Sequence, residues 1–346
     1  MGPPGPVLWL GHQYTVHILV FSLVKAQHVL VTGGLGAIGS QLSRMLLARG
    51  VASLTIIDDF SSSSPHLVGD IVRDPRVTHF RRSIVNDECL RQAFLDRPQD
   101  VVFHLAANFA HQSSLDHPII DCEVNSLGTA KVLEYSRRAS VKKFVFASSS
   151  CVYGNAKSYS VDNKDYHLDT PYAINKLHGE FLVEFYHKHH GLNTTVLRYF
   201  NSFGPGELPG RYRNVIPNFF AMAMQKKSLP ISGDETTSRD FNYVENTALG
   251  TILAAEKEIA NGKIYNIGSG HEVTIVELAK LINKIAGNDA GITFVPKRSW
   301  DTIKNRRADV SKTEKELGYK AVVDFAKQLT ATYEWLKQYQ DYFPSF

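Results

Sequence analysis

Little in this sequence points toward a membrane, a nucleic acid or a metal. Cysteine is scarce: Cys89, Cys122 and Cys151 are the three in 346 residues. They form no CxxC pair and no disulfide framework. That argues against a small stapled scaffold and a thiolate zinc site, and it predicts a reducing, cytoplasmic setting. A surplus of one charge is missing too. The net charge is +4 with no long basic run, so a nucleic-acid partner is not expected. The one long apolar run, residues 14–24, is too short to span a bilayer, and no membrane partner is expected. It also lacks a basic leader and a clear small-residue cleavage site, the marks of a secretory signal. Residues 1–26 are expected to be an extension outside the fold. His187, His189 and His190 lack the carboxylate and histidine spacing of a metal-binding helix, so they read as a solvated helix end and no metal is expected.

What is present is an ordinary globular composition, 43% apolar and 21% charged, in a chain long enough for one large α/β unit and a smaller lobe. Short apolar runs lie at residues 28–32, 54–58, 101–105, 144–148 and 194–199. None alternates strictly, and helical patterns separate them. Ile38, Leu42, Met45 and Leu46 recur at helical spacing, and residues 87–95, 125–138 and 171–190 read as further helices. Runs of this kind predict parallel strands buried on both faces, hence a doubly wound sheet. The pattern loosens after Asn201, where a Gly/Pro-rich stretch over 203–210 intervenes. We expect a dinucleotide-binding domain over 27–200, rejoined by 238–268, and a smaller α/β lobe over 201–237 and 269–346.

The first strand runs into Thr32-Gly33-Gly34-Leu35-Gly36-Ala37-Ile38-Gly39. Glycines here permit a tight turn and close approach of backbone to a pyrophosphate, and the following helix offers free N–H groups to it. A glycine pattern alone defines nothing; one between a strand and an amphipathic helix meets the requirement of a Rossmann-like site. Asp58 ends the second strand, where a carboxylate bonds both adenosine ribose hydroxyls and repels a 2′-phosphate. NAD is therefore the expected cofactor.

Tyr172 and Lys176 stand at i and i+4 in Pro171-Tyr172-Ala173-Ile174-Asn175-Lys176, on one face of a helix that Pro171 suits at its first turn. A phenol is a poor base near neutral pH, and a neighbouring ammonium and a positive nicotinamide ring both favour its ionised form. Tyr172 is then a usable base for a sugar hydroxyl. The strand over 144–148 leads into Ser149, whose hydroxyl can bond both the reacting oxygen and the phenol.

These motifs recur in order with His104-Leu105-Ala106-Ala107, Asn125 with Gly128-Thr129, Val152-Tyr153-Gly154, Arg198-Tyr199-Phe200-Asn201, Ser238-Arg239-Asp240-Phe241 and Ala308-Asp309. Over residues 27–340 the chain resembles the extended short-chain dehydrogenase/reductase family, the nucleotide-sugar epimerases and dehydratases. The resemblance implies that Gly33, Gly36, Ala37, Ile38 and Gly39 hold the pyrophosphate of NAD and that Asp58 holds its ribose. It implies that Leu105, Ala106 and Ala107 line the cofactor, that Asn125 supports it, and that Tyr172 and Lys176 adjoin the nicotinamide riboside. Ser149, Tyr172 and Lys176 become the catalytic group. Asn201, Asn214, Val215 and Arg239 match positions that bind the substrate's nucleotide diphosphate, and Arg298 and Arg306 fall in the segment that completes that pocket. Arginine suits diphosphate oxygens. Family members commonly dimerise through two helices, here 115–136 and 172–190, so a homodimer is expected.

Family reactions begin with oxidation of a sugar hydroxyl and then diverge. Dehydratases carry Asp-Glu after the catalytic hydroxyl residue, and decarboxylases carry Glu at the second position. Ser150 and Cys151 stand there instead. Epimerases require neither carboxylate, so the sequence favours epimerisation, with C4 the commonest carbon. The alternatives are a 4,6-dehydratase, a uronate decarboxylase or epimerase, a simple alcohol dehydrogenase, and a non-catalytic NAD-sensing protein, which typically lacks the Tyr/Lys pair. The chain departs from the family at Ser83, where Asp is frequent, over residues 108–112 beside the expected sugar, and at Arg306, whose guanidinium suits a phosphate or a uronate carboxylate.

Overall fold

The computed structural model describes residues 28–109, 111–298, 301 and 303–344. The expected extension over 1–26, with its apolar run, lies outside them. Seven strands form the large sheet: β1 His28–Thr32, β2 Ser53–Ile57, β3 Val77–Phe80, β4 Val101–His104, β5 Lys143–Ser149, β6 Thr194–Tyr199 and β7 Lys263–Ile267. Their order is β7-β6-β5-β4-β1-β2-β3, and every pairing is parallel. This is the doubly wound, Rossmann-like α/β fold. The strand order reverses between β1 and β4, and a crevice opens there at the carboxyl ends.

Residues of successive strands alternate between two cores. Val29, Val31, Leu54, Ile56, Phe103, Val145 and Leu197 pack against Leu42 and Leu46 of helix Ala37–Ala48 and Ala248 and Ile252 of helix Val244–Glu256. Leu30, Ile57, Val102, Phe144, Phe146 and Val196 pack against helices Asp87–Phe94, Thr129–Arg138 and Pro171–His190 on the other face. Two helical layers thus leave only the strand ends accessible, which places the ligand site there.

The edge strands β3 and β7 do not follow from a search for apolar runs. Val-Thr-His-Phe and Lys-Ile-Tyr-Asn-Ile carry polar residues where an edge strand meets water or loops. A single helix over 115–136 does not form. Helix His111–Asp116 stops at His117, held at φ −136 and ψ 60, because the residue before Pro118 is driven out of the helical region. Helix Pro118–Cys122 then passes through a π-helical turn, Glu123–Gly128, into helix Thr129–Arg138. Asn125 sits in that π turn, a deformation that frequently marks functional positions.

After β6 the chain builds a third apolar cluster, from Phe219, Phe220, Leu278, Ile282, Leu329 and Leu336, across helices Val215–Met224, Ile275–Ala286 and Phe325–Lys337. Two-stranded pairings flank it: Leu229–Ser232 with Ile292–Val295, and Ser238–Asp240 with Glu272–Thr274. Among the described residues, no helix is long and apolar enough to cross a membrane.

Candidate active site

A cavity of about 810 Å³ runs from the end of β2, across β1 and β4, to the small C-terminal pairings. Its floor begins at the glycine turn. Gly33 has φ +66, and a Cβ there would stand 2.7 Å from the backbone N of Ala106, so any side chain would push the turn away from the next strand loop. Helix Ala37–Ala48 opens with Gly36 and has no side-chain cap, which leaves its first-turn N–H groups available to an anion. Asp58 is buried, and its carboxylate accepts from Leu35 N at 3.0 Å and Phe60 N at 2.9 Å. Burial raises its pKa, and those two amide bonds oppose the rise. An oriented carboxylate beside an uncapped helix start fits the ribose and pyrophosphate of NAD.

Leu105, Ala106 and Ala107 continue this wall, and Ser149, Tyr172 and Lys176 stand at its centre. Asn201, Asn214, Val215, Arg239, Arg298 and Arg306 line the far end. Asn125 does not line the cavity. Its side chain accepts from Asn108 N and donates to Asn108 O, both at 3.0 Å, so it pins the loop that does. Asn125 also donates to Asp121 at 2.8 Å, and Asn175 donates to the other Asp121 oxygen at 2.6 Å. Asp121 was not legible as a site residue, because Asn175 lies 54 positions away in sequence.

Thr170 caps helix Pro171–His190, its hydroxyl accepting from Ala173 N at 3.4 Å. That cap sets the first turn, which carries Tyr172. The Ser149 hydroxyl lies beside the Tyr172 phenol and favours its ionised form. Lys176 donates to Ala147 O at 2.9 Å, and burial pushes its pKa down to about 8, so it remains an ammonium at neutral pH. Burial drives the Tyr172 pKa above the ordinary tyrosine range, with Cys151 and Asp121 adding to the rise. The phenol of the protein alone is therefore protonated. The ionised form expected from the Tyr/Lys pair depends on positive charge brought into the cavity.

The far end is cationic. Arg239 is held by Asp301 at 3.1 Å and by carbonyls of Ser238, Lys304 and Ile303. Arg306 is 3% exposed; one nitrogen reaches Ser150 Oγ at 3.3 Å, while Nε and Nη2 have no partner among the described residues. Buried guanidinium nitrogens without acceptors are costly unless a ligand supplies them. Ser83 also lines the cavity.

A glycine turn opening a helix at a switch point, with serine, tyrosine and lysine at the centre of the cavity, fits an enzyme that uses a nicotinamide cofactor. The chain belongs to the NAD dependent epimerase/dehydratase family, whose model matches residues 29–268. It is 33% identical over 327 residues to UDP-N-acetyl-alpha-D-glucosaminuronate decarboxylase of Bacillus cytotoxicus, covering 90% of this chain and 98% of that protein. An epimerase from Methanothermobacter thermautotrophicus superposes with a TM-score of 0.88 at 38% identity, over 95% of this chain and 98% of that one. UDP-glucuronic acid 4-epimerase from Bacillus cereus, solved with UDP-glucuronic acid and NAD, superposes with a TM-score of 0.84 at 30% identity, over 90% and 99%.

Proposed function

We propose that the protein epimerises a nucleotide-diphosphate sugar through a keto-sugar, with C4 the carbon oxidised and, in the simplest outcome, inverted. The observation that carries this reading is the residue set at the end of β5. Ser149 stands beside the Tyr172 phenol, and the next two positions are Ser150 and Cys151. A dehydratase must protonate a leaving hydroxyl, and neither position offers a carboxyl group to do it. When bound, NAD supplies the hydride acceptor and a positive ring charge near the phenol. Tyr172 then takes the hydroxyl proton, Ser149 bonds the developing carbonyl oxygen, and Lys176 keeps positive charge near both. Residues 201–237 and 269–346 serve as the substrate lobe, and Asn201, Asn214, Val215, Arg239 and Arg298 hold the nucleotide diphosphate.

Arg306 favours a sugar bearing a carboxylate. Its two nitrogens without a partner among the described residues fit a bidentate anion, and the UDP-N-acetyl-alpha-D-glucosaminuronate and UDP-glucuronic acid named for two of the relatives above carry such a group. Proton NMR of a panel of UDP-, GDP-, CDP- and dTDP-sugars with catalytic NAD tests both points. The expected result is a new epimer without net NADH, with uronates turned over best and that preference lost in Arg306→Ala. A 4-keto-6-deoxy or decarboxylated product would replace the epimerase reading. An unchanged preference in Arg306→Ala would remove the carboxylate assignment.

We also propose a homodimer. Ile119, Ile120, Leu127, Ile174, Phe181 and Phe185 are 47–73% exposed on helices Pro118–Cys122 and Pro171–His190 and the π turn between 123 and 128. Apolar surface gathered in this way marks a protein contact. Sedimentation should give twice the chain mass, and Phe181→Asp should give the single-chain mass. A wild-type monomer at micromolar concentration would rule the dimer out.

A further inference from the structure

The hydride step assigned to Ser149, Tyr172 and Lys176 leaves the buried carboxylate of Asp121 without a task. Two amide side chains meet it, and each has its orientation fixed elsewhere. The Asn125 oxygen accepts from Asn108 N at 3.0 Å, so the Asn125 nitrogen is the atom that donates to Asp121 at 2.8 Å. The Asn175 oxygen accepts from Ser126 Oγ at 2.7 Å, so the Asn175 nitrogen donates to the second Asp121 oxygen at 2.6 Å. A carboxylate, an acceptor on both oxygens, satisfies this arrangement in full. An amide cannot, because it would set one N–H group against another. Burial pushes the Asp121 pKa up, while these two bonds and the Lys176 charge oppose the rise. A charge held away from water must be balanced, and the Lys176 ammonium supplies the balance. Burial pulls that lysine toward losing its proton, and Asp121 heads the charges that hold the proton on, ahead of Cys151 and Glu180.

Resting on the keto-sugar reading above, we propose that Asp121 is a positioning residue for the hydride step. Its carboxylate ties the loop at Asn108 to the helix that carries Tyr172 and Lys176, and it sets a fixed negative charge against the Lys176 ammonium. The tie joins three pieces of chain. Asp121 lies on the short helix Pro118–Cys122, Asn125 and Ser126 sit in the π turn that follows, and Asn175 stands one residue before Lys176. The loop that it steadies leads to Phe109, whose ring stands edge-on to Tyr172 at 6.1 Å. The charge acts on both members of the Tyr/Lys pair: it favours the ammonium of Lys176 and opposes ionisation of Tyr172. The other titratable groups that face Lys176 are Tyr172 and Glu180 on its own helix, Cys151 after β5, and His104 on β4. Burial keeps His104 neutral, with a pKa of about 3. His111 is the further group that faces Asp121.

Reduction of bound NAD on mixing with UDP-glucuronic acid or another sugar of the panel, followed by stopped-flow absorbance, reads the hydride step by itself, whichever product comes later. In Asp121→Asn its rate should fall by about tenfold or more. The alkaline limb of its pH profile should move toward acid by about one unit, because the ammonium loses its proton at lower pH without the opposing charge. Asn175→Ala removes one hydrogen bond and keeps the charge, so its limb should stay in place. Asp121→Ser, smaller and uncharged, reads the same shift where the amide variant fails to fold, and each variant is checked for retained NAD. Hydrogen exchange by mass spectrometry needs no turnover, and residues 105–109 should lose protection in the Asp121 variants, since the Asn108 amide is held by Asn125. That arm decides alone if no panel sugar is oxidised. A folded Asp121 variant whose alkaline limb stays at the wild-type pH, or whose 105–109 segment keeps its protection, would overturn the assignment. A C4 epimer formed from the sugar panel would leave the epimerase reading standing in that case. A shifted limb with lost protection, and no epimer from any panel sugar, would support Asp121 and overturn the epimerase reading instead.

Discussion

Replacing Tyr172 by Phe is expected to lower kcat for sugar epimerisation by about 100- to 10,000-fold, the range of a lost general base, while NAD remains bound. The phenylalanine ring keeps the contacts of the tyrosine ring. Tyr172 is buried, with Phe109 edge-on at 6.1 Å and His111 at 5.9 Å, so the helix start should not move. Only the hydroxyl is lost, and with it the group proposed to accept the sugar proton. Lys176 cannot replace it, because its ammonium is held by Ala147 O and stays protonated at neutral pH. Ser149→Ala removes a hydrogen-bonding group and leaves the base, so its effect should be smaller. Turnover by NMR and bound NAD by chromatography after denaturation check this. A Tyr172→Phe rate within threefold of wild type would show that another group takes the proton.

Glu180→Gln is expected to destabilise the fold by about 3–5 kcal/mol, the cost of leaving a buried charge without its partner. Arg198 on β6 is completely buried; its Nε and Nη2 grip Glu180 at 2.9 and 2.7 Å, and the Tyr153 ring lies 4.6 Å from the guanidinium. Ser148 donates to the same carboxylate at 2.5 Å. Glu180 lies on the helix that carries Tyr172, and Ser148 precedes Ser149, so this pair fastens that helix to the strands beside it. A neutral amide leaves the guanidinium charge uncompensated in a dry environment. Urea unfolding should show the loss as a lower midpoint with an unchanged slope. The double variant Arg198→Met with Glu180→Met removes both charges and should lose less than Glu180→Gln alone. A midpoint for Glu180→Gln within error of wild type would mean that water reaches the pair.

Local signals carried much of the dinucleotide half. Gly33, Gly36 and Gly39 are adjacent in sequence to the strand and helix that give them meaning, and Tyr172 and Lys176 share one helical face. Five of the seven strands are apolar runs because both faces of the sheet are covered. The edge strands β3 and β7 escape that criterion, since one side of an edge has no strand neighbour and tolerates Thr, His, Lys and Asn. The interruption between Asp116 and Pro118 was legible in principle from the proline, but the helical periodicity on either side of it obscures the break. Asn125 carried a signal by resemblance to the family, and its contact is with Asn108, one residue past the Leu105, Ala106 and Ala107 that the resemblance placed along the cofactor.

The sequence by itself determined the fold class, the NAD cradle and the Ser149, Tyr172 and Lys176 group, because each rests on residues close in the chain or on periodicity that every buried strand must show. Tertiary structure alone decided what surrounds that group. Cys151 meets His111 across 40 positions and Arg306 across 155, and Asp121 meets Asn175 across 54. No local spacing encodes such meetings. They arise because parallel strands bring their carboxyl ends to one edge of the sheet, so loops far apart in sequence converge on a single cavity. The same convergence set the protonation of Tyr172: burial among these loops raises the pKa of its phenol, so the ionised form that the sequence reading drew from Lys176 and a nicotinamide ring needs more than the lysine.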